Sequence, residues 1–180
     1  MKNLSKNSLL LAYMAFIFFS GCKKDTPVTT DTIPPSMSLT ISGGGTSKTF
    51  TDAGDYSTGI FNLKPSTKYT ITSSVADSGG VQSLRLTLAK LLISQNITGA
   101  PANTVTETSF DRNYSIAGSA SDPYKSFLLS GNFVTPDAAN GSFSFTISSN
   151  GRDYRPNLST VLVNVNVEDN PVGGYGWVTF

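Results

Sequence analysis

The residues of this 180-residue chain that could do chemistry are its carboxylates and its aromatic rings, because it has no histidine and a single cysteine. The lack of His removes Ser-His-Asp and Cys-His nucleophiles, His-ligated zinc and imidazole proton shuttles. One Cys excludes an internal disulfide and a CxxC metal or redox site. Among the acids, Asp77 lies in an Asp-Ser-Gly-Gly turn, and Glu168-Asp169, followed by Asn170, ends an alternating run. If those loops met, Asp77, Glu168 and Asp169 would offer the oxygen ligands that calcium prefers. The plainer role of such residues is to cap backbone groups in turns, so no cofactor is expected beyond this calcium candidate. Glycoside hydrolysis would need two carboxyls facing each other about 5–10 Å apart. The chain's two Glu, Glu107 and Glu168, show no such pairing, and Glu107 falls in a polar alternating stretch that reads as an exposed strand.

Aromatic residues are the stronger lead. Tyr154 is flanked by Arg152 and Arg155, and Tyr175 and Trp177 lie in a Gly-rich segment near the carboxyl terminus. Exposed Tyr and Trp faces stack on sugars or anchor protein interfaces, and guanidinium forks bind carboxylates and hydroxyls. Tyr154, Arg152, Arg155, Tyr175 and Trp177 are therefore the candidate ligand-binding residues, although a Trp in a terminal strand more often packs against a core. The formal net charge of +1 supplies no basic footprint for nucleic acid.

The first 22 residues read as a targeting segment. Lys2 and Lys6 precede an apolar run from Leu9 to Phe19, which is shorter than the roughly 20 residues of a membrane-spanning helix. The run ends in Phe19-Ser20-Gly21-Cys22. Small residues directly before the lone Cys resemble the lipobox of bacterial lipoproteins, with Phe19 standing where that family more often has Leu. The resemblance implies cleavage after residue 21, acylation of Cys22 and attachment to a membrane through that lipid. Lys23, rather than Asp, follows the Cys; by the same resemblance to Gram-negative lipoproteins this implies the outer membrane. Residues 22–35 are sparse in apolar side chains and carry three prolines, so they read as a semi-extended tether of about 40 Å, at roughly 3.1–3.3 Å per residue.

The elements that must position the candidates lie in residues 36–180, a length that suits one domain. Their period is two almost throughout. Met37–Ile41, Tyr69–Val75, Leu84–Leu88, Phe143–Ile147 and Val161–Val167 alternate apolar with polar residues, and each half-buries one face. Thr104–Phe110, Tyr114–Ala117, Phe127–Val134 and Tyr175–Phe180 are further strand candidates. Leu84–Ile93 could carry a short helix, but Leu84, Leu86 and Leu88 repeat at two and favour a strand. Asn150-Gly151 reads as a tight turn. About eight to ten short strands separated by Gly, Pro and Asn turns predict an all-β, antiparallel sandwich.

The segment Val75-Ala-Asp77-Ser-Gly-Gly80-Val81, continued by Leu84, Leu86 and Leu88, resembles immunoglobulin-like modules of bacterial surface lipoproteins. Val163–Asp169 followed by Trp177–Phe180 resembles the last hairpin of such modules. The resemblance implies an Ig-like β-sandwich that binds a glycan or protein partner, or builds a larger surface complex, without catalysis. The stretch from Leu92 to Asn140 is longer than such a module needs and reads as an inserted hairpin or binding loop. A carboxylate-dependent glycan hydrolase and a periplasmic small-ligand carrier are the competing expectations.

Overall fold

The computed structural model describes residues 31–139, 141–155 and 157–180. The acylation site expected at Cys22, the signal segment and residues 22–30 lie outside the described residues. The strands are β1 (Ser36–Gly43), β2 (Thr46–Thr51), β3 (Gly59–Leu63), β4 (Lys68–Ala76), β5 (Val81–Ala89), β6 (Ile93–Ala100), β7 (Thr104–Glu107), β8 (Asp111–Ala117), β9 (Ser126–Val134), β10 (Phe143–Asp153), β11 (Leu158–Val167) and β12 (Gly176–Thr179). They form a five-stranded sheet in the order β2-β1-β4-β9-β6 and a seven-stranded sheet in the order β12-β3-β11-β10-β5-β8-β7. The fold is an all-β sandwich.

Alternation drives the layering. Met37, Leu39 and Ile41 of β1, Tyr69, Ile71 and Val75 of β4, and Leu84, Leu86 and Leu88 of β5 are buried, as are the four valines of β11. Each of these side chains contributes about 1.5–3 kcal/mol when moved out of water, and together they occupy the space between the sheets. Phe50, Tyr56, Phe61 and Trp177 close one flank with edge-to-face contacts, Trp177 lying 5.3 Å from Phe50 and 5.5 Å from Tyr56 between ring centroids. The β1–β2 hairpin turns at Gly44 and Gly45, whose φ values of 57° and 86° match a turn that follows the strand twist.

Four sequence expectations are corrected. Twelve strands form rather than eight to ten, because β2 and β6 each bury a single large apolar side chain and β3 buries three residues in succession, so none of them carries an apolar–polar alternation in sequence. Asn150-Gly151 is not a turn. It lies inside β10, opposite Arg85 and Leu84 on one side and Thr160 and Ser159 on the other. A Cβ at Gly151 would sit 2.5 Å from Val75 Cγ2 and 2.9 Å from Met37 Sδ, so this glycine permits close approach of the facing sheet. The expected last hairpin is also absent: β3 pairs with both β11 and β12, and its pairing with β11 is parallel. The long middle segment forms no single inserted loop. It supplies β6 and β9 to one sheet and β7 and β8 to the other.

Asp31–Pro35 rest on the sandwich. Asn157 Nδ2 donates to the Asp31 carbonyl at 3.1 Å, and Ser159 Oγ donates to the Pro35 carbonyl.

Candidate functional site

Strand direction decides which loops share an end. Asp153, at the end of β10, pairs with Val81 at the start of β5, so the 77–80 and 154–157 turns lie together. Glu168 and Asp169 follow the other end of β11, whose ten residues span about 30 Å. The structure therefore does not bring Glu168 and Asp169 to Asp77. Asp77 instead meets Asp31 and Asp153, each carboxylate offering an oxygen within 4.8 Å of the other two.

Much of this trio's acceptor capacity serves the turns. Asp153, 1% exposed, accepts the Arg155 and Asn157 amide N–H groups on Oδ1 at 2.7 and 2.9 Å, and Asn157 Nδ2 on Oδ2 at 2.7 Å. Asp77 Oδ1 accepts Gly79 and Gly80 N–H at 2.6 and 2.9 Å, and Asp31 Oδ1 accepts Ile33 N–H at 3.1 Å. The donor set is of the oxygen type that a hard cation accepts, and it also fastens the 154–157 loop and the 31–35 segment to the domain.

The aromatic candidates separate in the same way. Arg152 points outward from β10 and is exposed, Asp153 points inward, and Arg155 is exposed on the turn beyond. Tyr154 is half-buried. Its hydroxyl is shut off from water with no hydrogen-bond partner among the described residues, and this desolvation raises its pKa above the ordinary tyrosine value. It faces Gly118, where a Cβ would lie 2.6 Å from Tyr154 Oη. Tyr175 lies on the other end of the strands, beneath Lys64 Nζ at 5.1 Å from the ring centroid, with its hydroxyl accepting Asn170 N–H at 3.2 Å. Trp177 is taken up by the aromatic flank and packs over Gly59. The five expected binding residues are thus not one site.

The two Glu are also separated. Glu168 follows β11 and Glu107 ends β7, four strand spacings away or about 19 Å. Glu107 bonds to Lys90 at 3.2 Å and Arg112 at 2.7 Å. The Lys90 and then the Arg112 hydrogen bonds hold its carboxyl below the usual range, the opposite of what a general acid needs.

What the structure does assemble is an open groove of about 530 Å³ on the outer face of the seven-stranded sheet. It runs over β8, β5, β10 and the start of β11, with Arg85, Arg152, Asn150, Ser115, Gln82 and Leu158 among its lining. Arg85 stands opposite Asn150 on β10, and Arg152 is two residues further along, a diagonal neighbour at about 7–8 Å. Among the described residues the ion pairs are those of Glu107 with Lys90 and Arg112, so neither groove arginine has an acidic partner there. Sequence reading missed Arg85. Its signal was its outward phase between Leu84 and Leu86, and the turn assigned at Asn150-Gly151 hid the continuation of β10 that sets Arg152 beside it.

No protein-family model matches the chain, and no curated protein does. Among solved structures it is similar to a non-cellulosomal cohesin from the hyperthermophilic archaeon Archaeoglobus fulgidus, with 13% identity, a TM-score of 0.38, and coverage of 64% of this chain and 94% of that one. It is also similar to the collagen-binding subdomain of the Enterococcus faecalis surface protein ACE, with 12% identity, a TM-score of 0.34, and coverage of 64% and 99%. At these identities and scores nothing about ligand or partner passes to this chain.

Proposed function

We propose that this chain is a non-enzymatic binding module of a bacterial outer membrane, held there by a lipid on Cys22 and engaging its ligand through the outer face of the seven-stranded sheet. The observation that carries the binding site is the groove over β5, β8 and β10, where two guanidiniums with no acidic partner among the described residues stand among neutral hydrogen-bonding side chains. Three further facts support the reading. The lipobox-like Ser20-Gly21-Cys22 supplies an attachment point. Among the described residues the space between the sheets holds one contiguous cluster of buried apolar side chains, the packing expected of a binding module rather than of a small-ligand carrier. The separation of Glu107 from Glu168 leaves the glycan-hydrolase alternative without a glutamate pair, and the carboxylates that do meet, Asp31, Asp77 and Asp153, each accept backbone N–H groups of their turns.

The test has two parts. Radioactive palmitate is expected to label the wild-type protein in cells and to leave Cys22→Ser unlabelled; label that persists in the variant refutes the anchor. Amide hydrogen exchange of the purified protein with an envelope fraction of the producing bacterium is expected to slow at 83–85, 115–117 and 150–152. Slowing confined to the 168–175 loop would move the site to the opposite end.

A further inference from the structure

We infer that the groove takes an anionic polysaccharide, a hydroxyl-rich chain carrying carboxylate or sulfate groups. The inference rests on the binding-module reading and names the ligand class for the same groove.

Charge is the first argument. Arg85 and Arg152 are exposed diagonal neighbours on adjacent strands, unpaired among the described residues. Two guanidiniums placed together without a counter-charge repel each other, and a ligand bearing anionic groups relieves that repulsion while filling their planar donor forks.

The second argument concerns what kind of chain could lie there. The strands beneath are interior to their sheet: β10 is flanked by β11 and β5, and β5 by β10 and β8. Their ladder hydrogen bonds are already made, so a peptide cannot add itself as a further strand, the mode that needs an open edge. Recognition must come from side chains, and the neutral ones present are Gln82, Ser83, Ser115 and Asn150. Amides and hydroxyls both donate and accept, which complements sugar hydroxyls. Leu158, 49% exposed at the groove's margin, offers an apolar contact for the C–H face of a sugar ring. The volume lies within the range of about 300–1,000 Å³ that suits a small ligand or a short stretch of a chain.

The experiment uses the full-length protein in detergent and four defined probes: polygalacturonate oligosaccharides, dextran sulfate, unmodified dextran and polyglutamate. Calorimetric titration is expected to show binding to at least one of the two anionic polysaccharides, and which one binds tells carboxylate from sulfate. Affinity is expected to fall at least tenfold in the Arg85→Gln/Arg152→Gln double variant and to weaken with added salt, with the melting temperature unchanged because both side chains are exposed. The inference is overturned if neither anionic polysaccharide binds, if dextran binds equally well, if the double variant binds as wild type does, or if polyglutamate binds as tightly. Should the envelope fraction still protect the groove in exchange experiments when both polysaccharides fail, the binding-module reading stands and this ligand class alone falls.

Discussion

Replacing Asp153 by Ala and Asp31 by Asn should shift stability in opposite directions, although both changes remove one charge from the same trio. Asp153→Ala deletes acceptors for three N–H donors, at 2.7, 2.9 and 2.7 Å. At about 1.5 kcal/mol for each hydrogen bond to a charged group, the loss is roughly 4–5 kcal/mol. Against it stands relief of repulsion from Asp31 and Asp77, whose oxygens lie within 4.8 Å. At that distance one pair of charges repels by about 1 kcal/mol in a water-like dielectric, the least the repulsion can be, because Asp31 and Asp77 reach solvent while Asp153 is 1% exposed. The net cost is at most about 2–3 kcal/mol, or roughly 5–10 °C in melting temperature for a domain of this size. Asp31→Asn keeps an oxygen for the Ile33 N–H and removes charge from two repulsive pairs, so it should stabilise by about 1–2 kcal/mol. Urea denaturation in the presence of a chelator measures both values without a divalent ion to neutralise the trio. Shifts of the same sign would refute the reasoning: two gains would mean that repulsion outweighs the turn hydrogen bonds, and two losses that Asp31 is held by attraction. Repeating the series in calcium adds a second readout, since an ion shared by the three carboxylates would turn Asp31→Asn into a destabilising change.

Val163 is fully buried in β11, and Val163→Asp should cost about 3–5 kcal/mol through an unpaired interior charge; an unchanged melting temperature would show that its face was misassigned. A Cβ at Gly131 would lie 1.9 Å from the Asn96 carbonyl oxygen, so Gly131→Ala should cost about 1–3 kcal/mol by overpacking and speed amide exchange along β6. The buried Ser73 and Ser149 hydroxyls bond across the two sheets at 2.5 Å. Ser149→Ala should therefore cost about 1–3 kcal/mol by stranding Ser73, and the double alanine variant less than the sum of the two single changes, as a double-mutant cycle in urea would show. Glu107, bonded first to Lys90 and then to Arg112, has its folded pKa below its unfolded value. Its contribution to stability is accordingly present above the unfolded pKa and lost as pH falls through the folded one. A ¹³C titration of its carboxyl should give a midpoint under that of an ordinary glutamate, moving upward in Lys90→Gln.

Legibility followed the strength of alternation. β1, β4, β5 and β11 each place three or more apolar side chains on one face, and their existence was plain from sequence. β2 buries Phe50 alone, β6 buries Ile97 alone, and β3 buries Phe61, Asn62 and Leu63 in succession. β2 and β6 alternate in exposure but not in apolar residue type, so the sequence shows no period there to be read; these strands take their place by pairing with neighbours that offer ladder partners. Asn150-Gly151 misled for a related reason, since Gly marks a turn and a close sheet-to-sheet approach equally well.

Composition and local pattern determined that histidine-based and internal-disulfide chemistry are closed to this sequence, its all-β character and the face of each strongly alternating strand. All of these depend on residue type or on neighbours within one strand. Only the tertiary structure decided that Asp31 joins Asp77 and Asp153 rather than Glu168 and Asp169 joining Asp77, that Trp177 belongs to an aromatic flank, and that Arg85 and Arg152 share a groove. Each of those depends on which strand lies beside which and on which loops share an end. Alternation fixes the side of the sheet on which a residue sits and is blind to the identity of the neighbouring strand.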